Sequence, residues 1–226
     1  MTDELLSDEE IIDAWRANAL PWTTAVRDGD IESRRLVTDD AIIDAVLSRS
    51  PGTVLDIGCG EGWLARALSA RDIRVVGIDV VPALIEQAHH AGGGDFRVMS
   101  YEAVAAGKLD LTADVVVCNF SLIGKTSVDG VMGAASSLLN PGGALIVQTL
   151  HPLLACGDAP YADGWRAGSW SGFSSDFGKP APWYFRTLES WQALFALNGL
   201  RLQETREPVH PKTGKPASVL FIATID

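Results

Sequence analysis

Apolar residues recur along the chain in short, nearly unbroken runs that alternate with helical patterns. The strand-like runs cover residues 53–57, 74–79, 96–99, 113–119, 143–150, 200–209 and 218–226. Helical spacing occurs between them near 61–70, 82–91 and 128–138. Valine, isoleucine and leucine fill most of these runs, as in parallel strands that are buried on both faces. The pattern predicts an α/β fold, a doubly wound Rossmann-like sheet of seven strands with helices on both faces.

Two helices are predicted ahead of the first strand. Ser7 and Glu10 form a capping-box pattern, and apolar residues then recur at helical spacing until Pro21. Thr38 can cap a second helix, whose end is marked by the Pro-Gly pair at 51–52. The segment 1–37 is therefore interpreted as an N-terminal helical cap.

The 226 residues have the length of one α/β domain, which we assign to residues 1–226. Residues 152–185 lack any clean period and are interpreted as a lid or ligand-binding segment. Residues 186–226 contain a helix, which Thr187 can cap and Gly199 can close, and then the two last strands. A short turn with Pro and Lys joins these strands, so an antiparallel pair is expected at the end of a mostly parallel sheet.

Charge and cysteine content narrow the classes of function. A formal net charge of −11 leaves no basic face for phosphates, which argues against a nucleic-acid partner. Cys59, Cys118 and Cys156 show no CxxC spacing, which argues against both a disulfide framework and a metal site. The acidic first residues do not resemble a signal peptide, and no apolar run is long enough to cross a bilayer. We expect a cytoplasmic protein without a membrane partner.

The stretch VLDIGCGEG places Gly58, Gly60 and Gly62 between the first strand and the next helix. Bare backbone at such a turn lets amide groups approach a polar ligand closely. The nicotinamide dinucleotide fingerprint would need a third glycine at position 63, which is Trp63, and no Gly-Lys-Ser/Thr loop follows. The alternative is a tight turn with no ligand.

Asp79 ends the second strand and is the next candidate. A carboxylate at this place can accept both ribose hydroxyls of an adenosine, which suits several adenosine cofactors. The alternative is a solvated residue at a strand end.

Together these segments resemble motif I and the following acidic motif of class I S-adenosylmethionine-dependent methyltransferases of the small-molecule type. The resemblance continues in FRVMSYEAV, DVVVCNFSLI and LLNPGGALIVQTLHP, so it covers residues 38–151. It implies that this range is the cofactor-binding core, that S-adenosyl-L-methionine is the cofactor, and that S-adenosyl-L-homocysteine is the product.

The resemblance also implies roles for the residues of the glycine turn. Gly58, Cys59 and Gly60 would line the methionine part of the cofactor with backbone, while Asp56 orders the turn. Asp79 would hold the ribose.

Further along, the resemblance places Val80 beside the adenine. The family often has an aspartate after its third strand, where this chain has Ser100, so the adenine contact is expected at the Tyr101 backbone or at Glu102. Cys118 and Asn119 would face the methionine and the transferred methyl group through their backbone carbonyls.

His151 is the candidate for a general base, because it follows the fifth strand at the edge where open α/β sheets bind ligands. The alternative is a turn residue fixed by Pro152. Glu207 and His210 would reach the same edge if the sixth strand is parallel to the others, with a plain hairpin as the alternative.

The segment 152–185 and its neighbour Arg186 supply the candidates for acceptor binding. The aromatic residues suit an acceptor with an apolar body. The arginines interleaved with them suit an anionic group, such as a carboxylate, where the acceptor carries one. The alternative is a hydrophobic patch that covers the sheet edge or pairs subunits. The candidates are Tyr161, Trp165, Arg166, Tyr184 and Arg186.

Near the N-terminus, Arg34 and Arg35 can hold the cofactor carboxylate by a forked pair of hydrogen bonds or belong to a solvated helix face. Trp15, Trp22 and Trp63 are interpreted as packing residues.

The sequence thus favours an enzyme that methylates a small organic molecule. Two alternatives remain open: a methyltransferase that acts on a protein or another macromolecule, and a cofactor-binding regulator without catalysis. The acceptor atom and the oligomeric state, monomer or homodimer, stay undetermined.

Overall fold

The computed structural model describes residues 6–174 and 176–225. Its α-helices are α1 (Asp8–Arg27), α2 (Asp39–Leu47), α3 (Trp63–Ser69), α4 (Pro82–Ala91), α5 (Tyr101–Ala105), α6 (Thr126–Ala134), α7 (Pro152–Ala155) and α8 (Leu188–Leu197). Its strands are β1 (Thr53–Ile57), β2 (Arg74–Asp79), β3 (Asp95–Val98), β4 (Ala113–Asn119), β5 (Leu139–Thr149), β6 (Gly164–Arg166), β7 (Trp183–Phe185), β8 (Leu200–Arg206) and β9 (Val219–Ile225). Among the described residues, no helix has the length and apolar character needed to cross a membrane.

Seven strands form one sheet in the order β3-β2-β1-β4-β5-β9-β8. Strands β1 to β5 pair in parallel, β9 pairs antiparallel to β5, and β8 pairs antiparallel to β9. Strand β8 therefore runs in the direction of β1 to β5. The predicted fold class is confirmed, and the order reverses between β1 and β4, where such sheets bind ligands.

The core lies on both faces of the sheet because neighbouring strand residues point to opposite sides. On one face, Leu55 and Phe221 pack with α6 and α8. On the other face, Val54 and Val115 pack with α2 and α3. Apolar burial on both sides is what the nearly unbroken valine and isoleucine runs require.

The first helix is longer than predicted. Ser7 accepts a hydrogen bond from the Glu10 amide, which confirms the cap, but α1 continues past Pro21 to Arg27. A proline removes one backbone donor from a helix. Packing of Ala19 against α4 stabilises the helix where this backbone hydrogen bond is missing.

The second helix begins differently from its prediction. A π-helical turn over Arg34–Thr38 precedes α2, and the Thr38 side chain makes no capping hydrogen bond. Instead, the Thr38 carbonyl accepts from Nε2 of Gln148 at 3.1 Å, which ties this turn to β5. The sequence shows no signal for this tertiary contact.

The segment 152–185 carries regular structure that its irregular sequence did not predict. The short helix α7 follows β5, and β6 and β7 form a two-stranded antiparallel sheet. The antiparallel pair of β8 and β9, in contrast, was predicted and is confirmed.

Helix α1 and residues 168–174 and 176–182 form a roof over the carboxyl edge of the sheet. Asn18, fully buried in α1, donates from Nδ2 to the Lys179 carbonyl at 2.9 Å and accepts from the Gly178 amide at 2.7 Å. Asp8, at the start of α1, accepts from the backbone amides of Lys125, Thr126 and Ser127 at the start of α6. Helix α1, which belongs to the segment 1–37 predicted as an N-terminal cap, thus lies on the ligand edge, and residues 1–5 of that segment fall outside the described range.

Candidate functional site

The turn between β1 and α3 has three glycines in the left-handed region, with φ of 77° at Gly58, 57° at Gly60 and 82° at Gly62. A Cβ on Gly58 would lie 2.3 Å from the Cβ of Ser121, so this glycine is needed for packing. A Cβ on Gly60 would meet its nearest atom, Nε1 of Trp22, only at 3.9 Å. Gly60 therefore presents bare backbone toward open space, as close approach of a ligand requires.

Asp79 holds this turn from the end of β2. Its Oδ2 accepts from the Gly60 amide at 3.0 Å and its Oδ1 from the Val81 amide at 2.9 Å. Burial raises the pKa of the Asp79 carboxyl, while these amide hydrogen bonds oppose the rise. Each carboxylate oxygen keeps a further lone pair for a ligand hydroxyl.

Asp56 lies beneath the turn at the end of β1 and is almost completely buried. Burial, and secondarily the charge of Asp79, raises the pKa of the Asp56 carboxyl to about 7. A second carboxyl this close to Asp79 is easier to keep in the interior when it is protonated.

A cavity of about 420 Å³ opens at this edge of the sheet, below the roof. Its volume lies in the range of pockets that enclose small organic molecules. Aromatic rings form much of its wall, with Trp15 edge-on to Trp22 at 5.1 Å and to Trp170 at 5.8 Å between centroids. The remaining aromatic side chains of the lining are Trp63, Tyr101, Phe120, Phe173, Trp183, Tyr184, Phe185 and Trp191.

The buried charges of the lining are paired with protein groups. Glu61 binds the guanidinium groups of Arg27 and Arg66 at 2.9 and 2.7 Å. Arg186 donates to Asp129 and to the backbone carbonyls of Gly124 and Lys125. Burial lowers the pKa of Arg186, and Asp129 opposes this effect. These charges stabilise the walls and are already neutralised.

Three buried side-chain atoms of the lining have no hydrogen-bond partner: Nη2 of Arg34, Oδ1 of Asn119 and Nε1 of Trp170. Arg34 donates from Nε to Asp39 at 3.0 Å, and its guanidinium carbon lies 4.6 Å from the centroid of the Trp63 ring. These three atoms are shielded by their neighbours, so it is other atoms of the same side chains that face the cavity.

The cavity brings together most of the predicted cofactor residues. Those in its lining are Gly58, Cys59, Gly60, Asp79, Val80, Tyr101, Glu102 and Asn119. Three others lie outside it. Asp56 is beneath the turn, Cys118 is buried in the core, and the Ser100 hydroxyl caps α5 by accepting from the Ala103 amide.

Only two of the predicted acceptor residues, Tyr184 and Arg186, lie in the lining. Arg166 instead donates to the carbonyls of Cys156 and Pro160, and the Tyr161 hydroxyl accepts from the Leu188 amide. Trp165 packs edge-on against Tyr184 across the pair β6 and β7. These three side chains therefore contact other protein groups and do not line the cavity.

The structure does not support the predicted base role of His151, because its imidazole is buried outside the cavity lining. Its Nε2 lies 3.2 Å from Oε1 of Glu207. Glu207 does reach the ligand edge through the parallel β8, as predicted, but it contacts His151 and does not line the cavity. His210 is also outside the lining, and its Nδ1 accepts from the Lys212 amide at 3.2 Å.

Several lining residues were missed or read as packing residues. Trp15, Trp22 and Trp63 both pack and line the cavity, and the helical spacing of Trp15 and Trp22 could have indicated a shared face. Phe120 was missed entirely. It follows β4 with φ of 53°, which is unusual for a bulky residue and typical of functional sites.

Comparison with protein families gives one match to most of the chain. A family model described as "Methyltransferase domain" matches residues 32–205. Among curated proteins, a ubiquinone biosynthesis O-methyltransferase of Xanthomonas axonopodis pv. citri (strain 306) is 34% identical over 114 residues, 48% of this chain and 47% of that protein. One from Xylella fastidiosa (strain M23) is 35% identical over 114 residues, 48% of this chain and 46% of that protein. The chain thus matches about half the length of these relatives.

Solved structures share the fold at low sequence identity. The DhpI-SAM-HEP complex has a TM-score of 0.65 and 16% identity, with 99% of this chain and 100% of that chain covered. A S-adenosylmethionine-dependent methyltransferase from Mesorhizobium loti has a TM-score of 0.60 and 19% identity, with 81% and 95% covered. The similarity includes the outer segments of the chain as well as the sheet.

The raised pKa of Asp56 predicts a pH dependence of stability. An aspartate in the unfolded chain loses its proton near pH 4, whereas Asp56 keeps it to about pH 7 in the folded protein. The folded state therefore binds more protons between these values, and the Asp56 contribution to stability falls as pH rises through this window.

Asp56→Asn cannot ionise, so it should be spared this loss. The quantity to measure is the Tm of the variant minus the Tm of the wild type, by scanning calorimetry without ligand. We expect this difference to be larger at pH 8 than at pH 5 by about 5 °C or more. A Tm difference that stays constant with pH would contradict the assignment.

Proposed function

The chain belongs to the class I S-adenosylmethionine-dependent methyltransferases, and we propose that it transfers a methyl group to a small, largely apolar organic molecule inside the roofed cavity. The observation that carries this proposal is the continuity of one cavity from the bare backbone at Gly60, held by Asp79, to an aromatic chamber below α1. A roofed chamber of this size suits a small acceptor better than a segment of a macromolecule.

The residues present fit the cofactor. Asp79 would accept the ribose hydroxyls, and the Gly60 backbone would lie along the methionine part. Arg34, which lines the cavity, is our proposal for the contact with the carboxylate, the first of the two interpretations given for Arg34 and Arg35. Tyr101 and Glu102 remain our proposal for the adenine side. When bound, S-adenosylmethionine supplies an activated methyl group on its sulfonium sulfur.

The chain's own contribution is mainly to position the acceptor and exclude water. Among the lining carboxylates, Asp8, Glu61 and Asp79 are engaged by amide groups or arginines, and Glu102 is exposed. With His151 outside the lining, these groups provide no free buried base. Alignment in a closed site can itself lower a barrier by about 7–11 kcal/mol, so the reaction does not require one.

The relatives named ubiquinone biosynthesis O-methyltransferases are consistent with a small-molecule acceptor, but they match only about half of this chain. We therefore propose the acceptor class from the cavity and leave its identity open. The net charge of −11 supports a function without nucleic acid, and three free cysteines support a cytoplasmic location.

The direct test uses cofactor that is isotopically labelled on its methyl group. The protein is incubated with a small-molecule extract of cells, and separately with the protein and nucleic-acid fractions. We expect enzyme-dependent label in a small molecule. Label confined to the macromolecular fractions would support the alternative methyltransferase, and cofactor binding without any transfer would support a regulator.

Gly60→Ala tests the approach of the cofactor to the turn. The new Cβ has room in the folded protein, at a cost of about 1–2 kcal/mol for the left-handed conformation. It would occupy space that the cofactor needs, so we expect at least tenfold weaker binding of S-adenosylhomocysteine in calorimetry.

Gly142→Ala is the matched control. Gly142 has a similar φ of 78°, its Cβ would meet nothing within 4 Å, and it lies outside the cavity. We expect its affinity to equal that of the wild type. Normal binding by Gly60→Ala would contradict the proposed cofactor position.

Arg34→Gln tests the carboxylate contact with two ligands. S-adenosylhomocysteine carries the carboxylate and 5′-methylthioadenosine does not. A charge-assisted hydrogen bond of about 1.5–3 kcal/mol predicts that only the first ligand loses affinity, by tenfold or more.

The matched control for this test is Arg35→Gln, since Arg35 is exposed and does not line the cavity. It should leave both affinities unchanged. If Arg34→Gln weakened both ligands equally, the arginine would act on the fold of the turn and not on the carboxylate.

A further inference from the structure

One side chain of the roof is placed to bind the cofactor directly. Trp22 belongs to α1 and lines the cavity beside the glycine turn. We propose that the indole N–H of Trp22 donates a hydrogen bond to the methionine carboxylate of S-adenosylmethionine, and that this contact holds the roof helix α1 on the bound cofactor. This inference rests on the proposed function and gives a binding role to a residue that the sequence indicated only as a packing residue.

The first observation is the position of the indole nitrogen relative to Gly60. Of the described residues outside its own chain neighbours, a Cβ at Gly60 would have one atom within 4 Å, which is Nε1 of Trp22 at 3.9 Å. The protein atom nearest to the open space at Gly60 is thus a donor nitrogen and not a ring carbon. A methionine part that lies along the Gly60 backbone would pass this N–H.

The second observation is that this donor is free to bind a ligand. Nε1 of Trp22 makes no hydrogen bond to a described residue. Unlike Nε1 of Trp170, it is not among the unpartnered atoms that are shielded by their neighbours, so its surface is accessible. The polar end of a half-buried indole usually finds a hydrogen-bond acceptor.

The chemistry of the indole selects the group that it binds. An indole N–H can donate a hydrogen bond and cannot accept one. In the methionine part of the cofactor, the ammonium group is also a donor and the sulfonium sulfur carries a positive charge. The carboxylate is therefore the strong acceptor in this part of the ligand, and hydrogen bonds to a charged oxygen are stronger than those between neutral groups.

Arg34, the proposed cationic partner of the same carboxylate, lies next to Trp22. Its guanidinium carbon is 5.9 Å from the centroid of the Trp22 ring and 4.6 Å from that of Trp63. A carboxylate has two oxygens and can accept from both side chains at once. Donors from two different segments, α1 and the π-helical turn that precedes α2, would then meet at one anion.

The packing of Trp22 explains why this contact would act on the roof. Its ring lies 5.1 Å from Trp15 and 6.4 Å from Phe173 between centroids, so it contacts both α1 and the loop of the roof. Trp22 also packs against Ala19 and Leu84, which join α1 to α4. A hydrogen bond from this ring to the cofactor adds a contact between the roof and the ligand below it.

The test compares two ligands that differ only in the carboxylate, S-adenosylhomocysteine and its decarboxylated form. We expect Trp22→Phe to weaken the binding of S-adenosylhomocysteine about tenfold and to leave the affinity for the decarboxylated ligand unchanged, both measured by calorimetry. Phenylalanine keeps an aromatic ring at this place, and the N–H that is lost has no protein partner. The variant should therefore fold normally, which its Tm without ligand checks.

Trp15→Phe is the matched control, because it removes an indole N–H from the same helix and the same group of rings. No atom of Trp15 would lie within 4 Å of a Cβ at Gly60. We expect this variant to change the affinity for both ligands by one common factor, since it alters only packing.

Hydrogen exchange tests the effect on the roof. With both ligands at saturation, S-adenosylhomocysteine should slow the exchange of amides in α1 more than its decarboxylated form does. Trp22→Phe should reduce this difference between the two ligands.

Failure of this inference and failure of the proposed function give different results. Protein that does not bind S-adenosylhomocysteine would overturn the proposed function. If the wild type binds it, but Trp22→Phe changes the affinity for both ligands equally or for neither, only the Trp22 contact is overturned. Equal protection of α1 by both ligands would overturn the effect on the roof.

Discussion

The structure of the site depends on one buried carboxylate. Asp79 joins two chain segments that are distant in sequence, because it accepts from the Gly60 amide of the first turn and from the Val81 amide at the start of α4. The Gly58 and Cys59 amides also donate to the Ile78 carbonyl of β2 at 2.8 and 3.0 Å, and the Asp79 side chain extends this attachment of the turn to Gly60. The same carboxylate has lone pairs left for a ligand, so a single group that shapes the turn can also accept hydrogen bonds from a ligand there.

This carboxylate lies in a rigid and mostly apolar surrounding, which disfavours a further buried charge. The parallel strands provide it through cores on both faces, and Asp56 avoids a second buried charge through its raised pKa. The roof then limits access of water. In such an environment each polar contact between protein and ligand is stronger than in solvent, so a few such contacts can decide which ligand binds.

The fold and the glycine turn held by Asp79 were largely predictable because their signals are local. Burial on both faces forces valine and isoleucine runs, and bare backbone forces glycine at Gly58, Gly60 and Gly62. What failed were contacts between distant segments. The continuation of α1 past Pro21 depends on packing against α4, the turn at Thr38 depends on Gln148, and His151 was placed at the correct edge but turned away from the cavity.

This difference follows from how each ligand is recognised. A cofactor held by backbone and by strand-end carboxylates requires fixed residue types at fixed spacings, which leave a pattern in the sequence. The acceptor is expected to contact side chains from α1, β4, the roof loop and β7, and these segments meet only in the folded chain. Asn119 and Trp170, for example, have no sequence relation to each other and come together only as parts of one cavity lining. For this fold, the lining of the folded cavity is therefore a better guide to the acceptor than any motif.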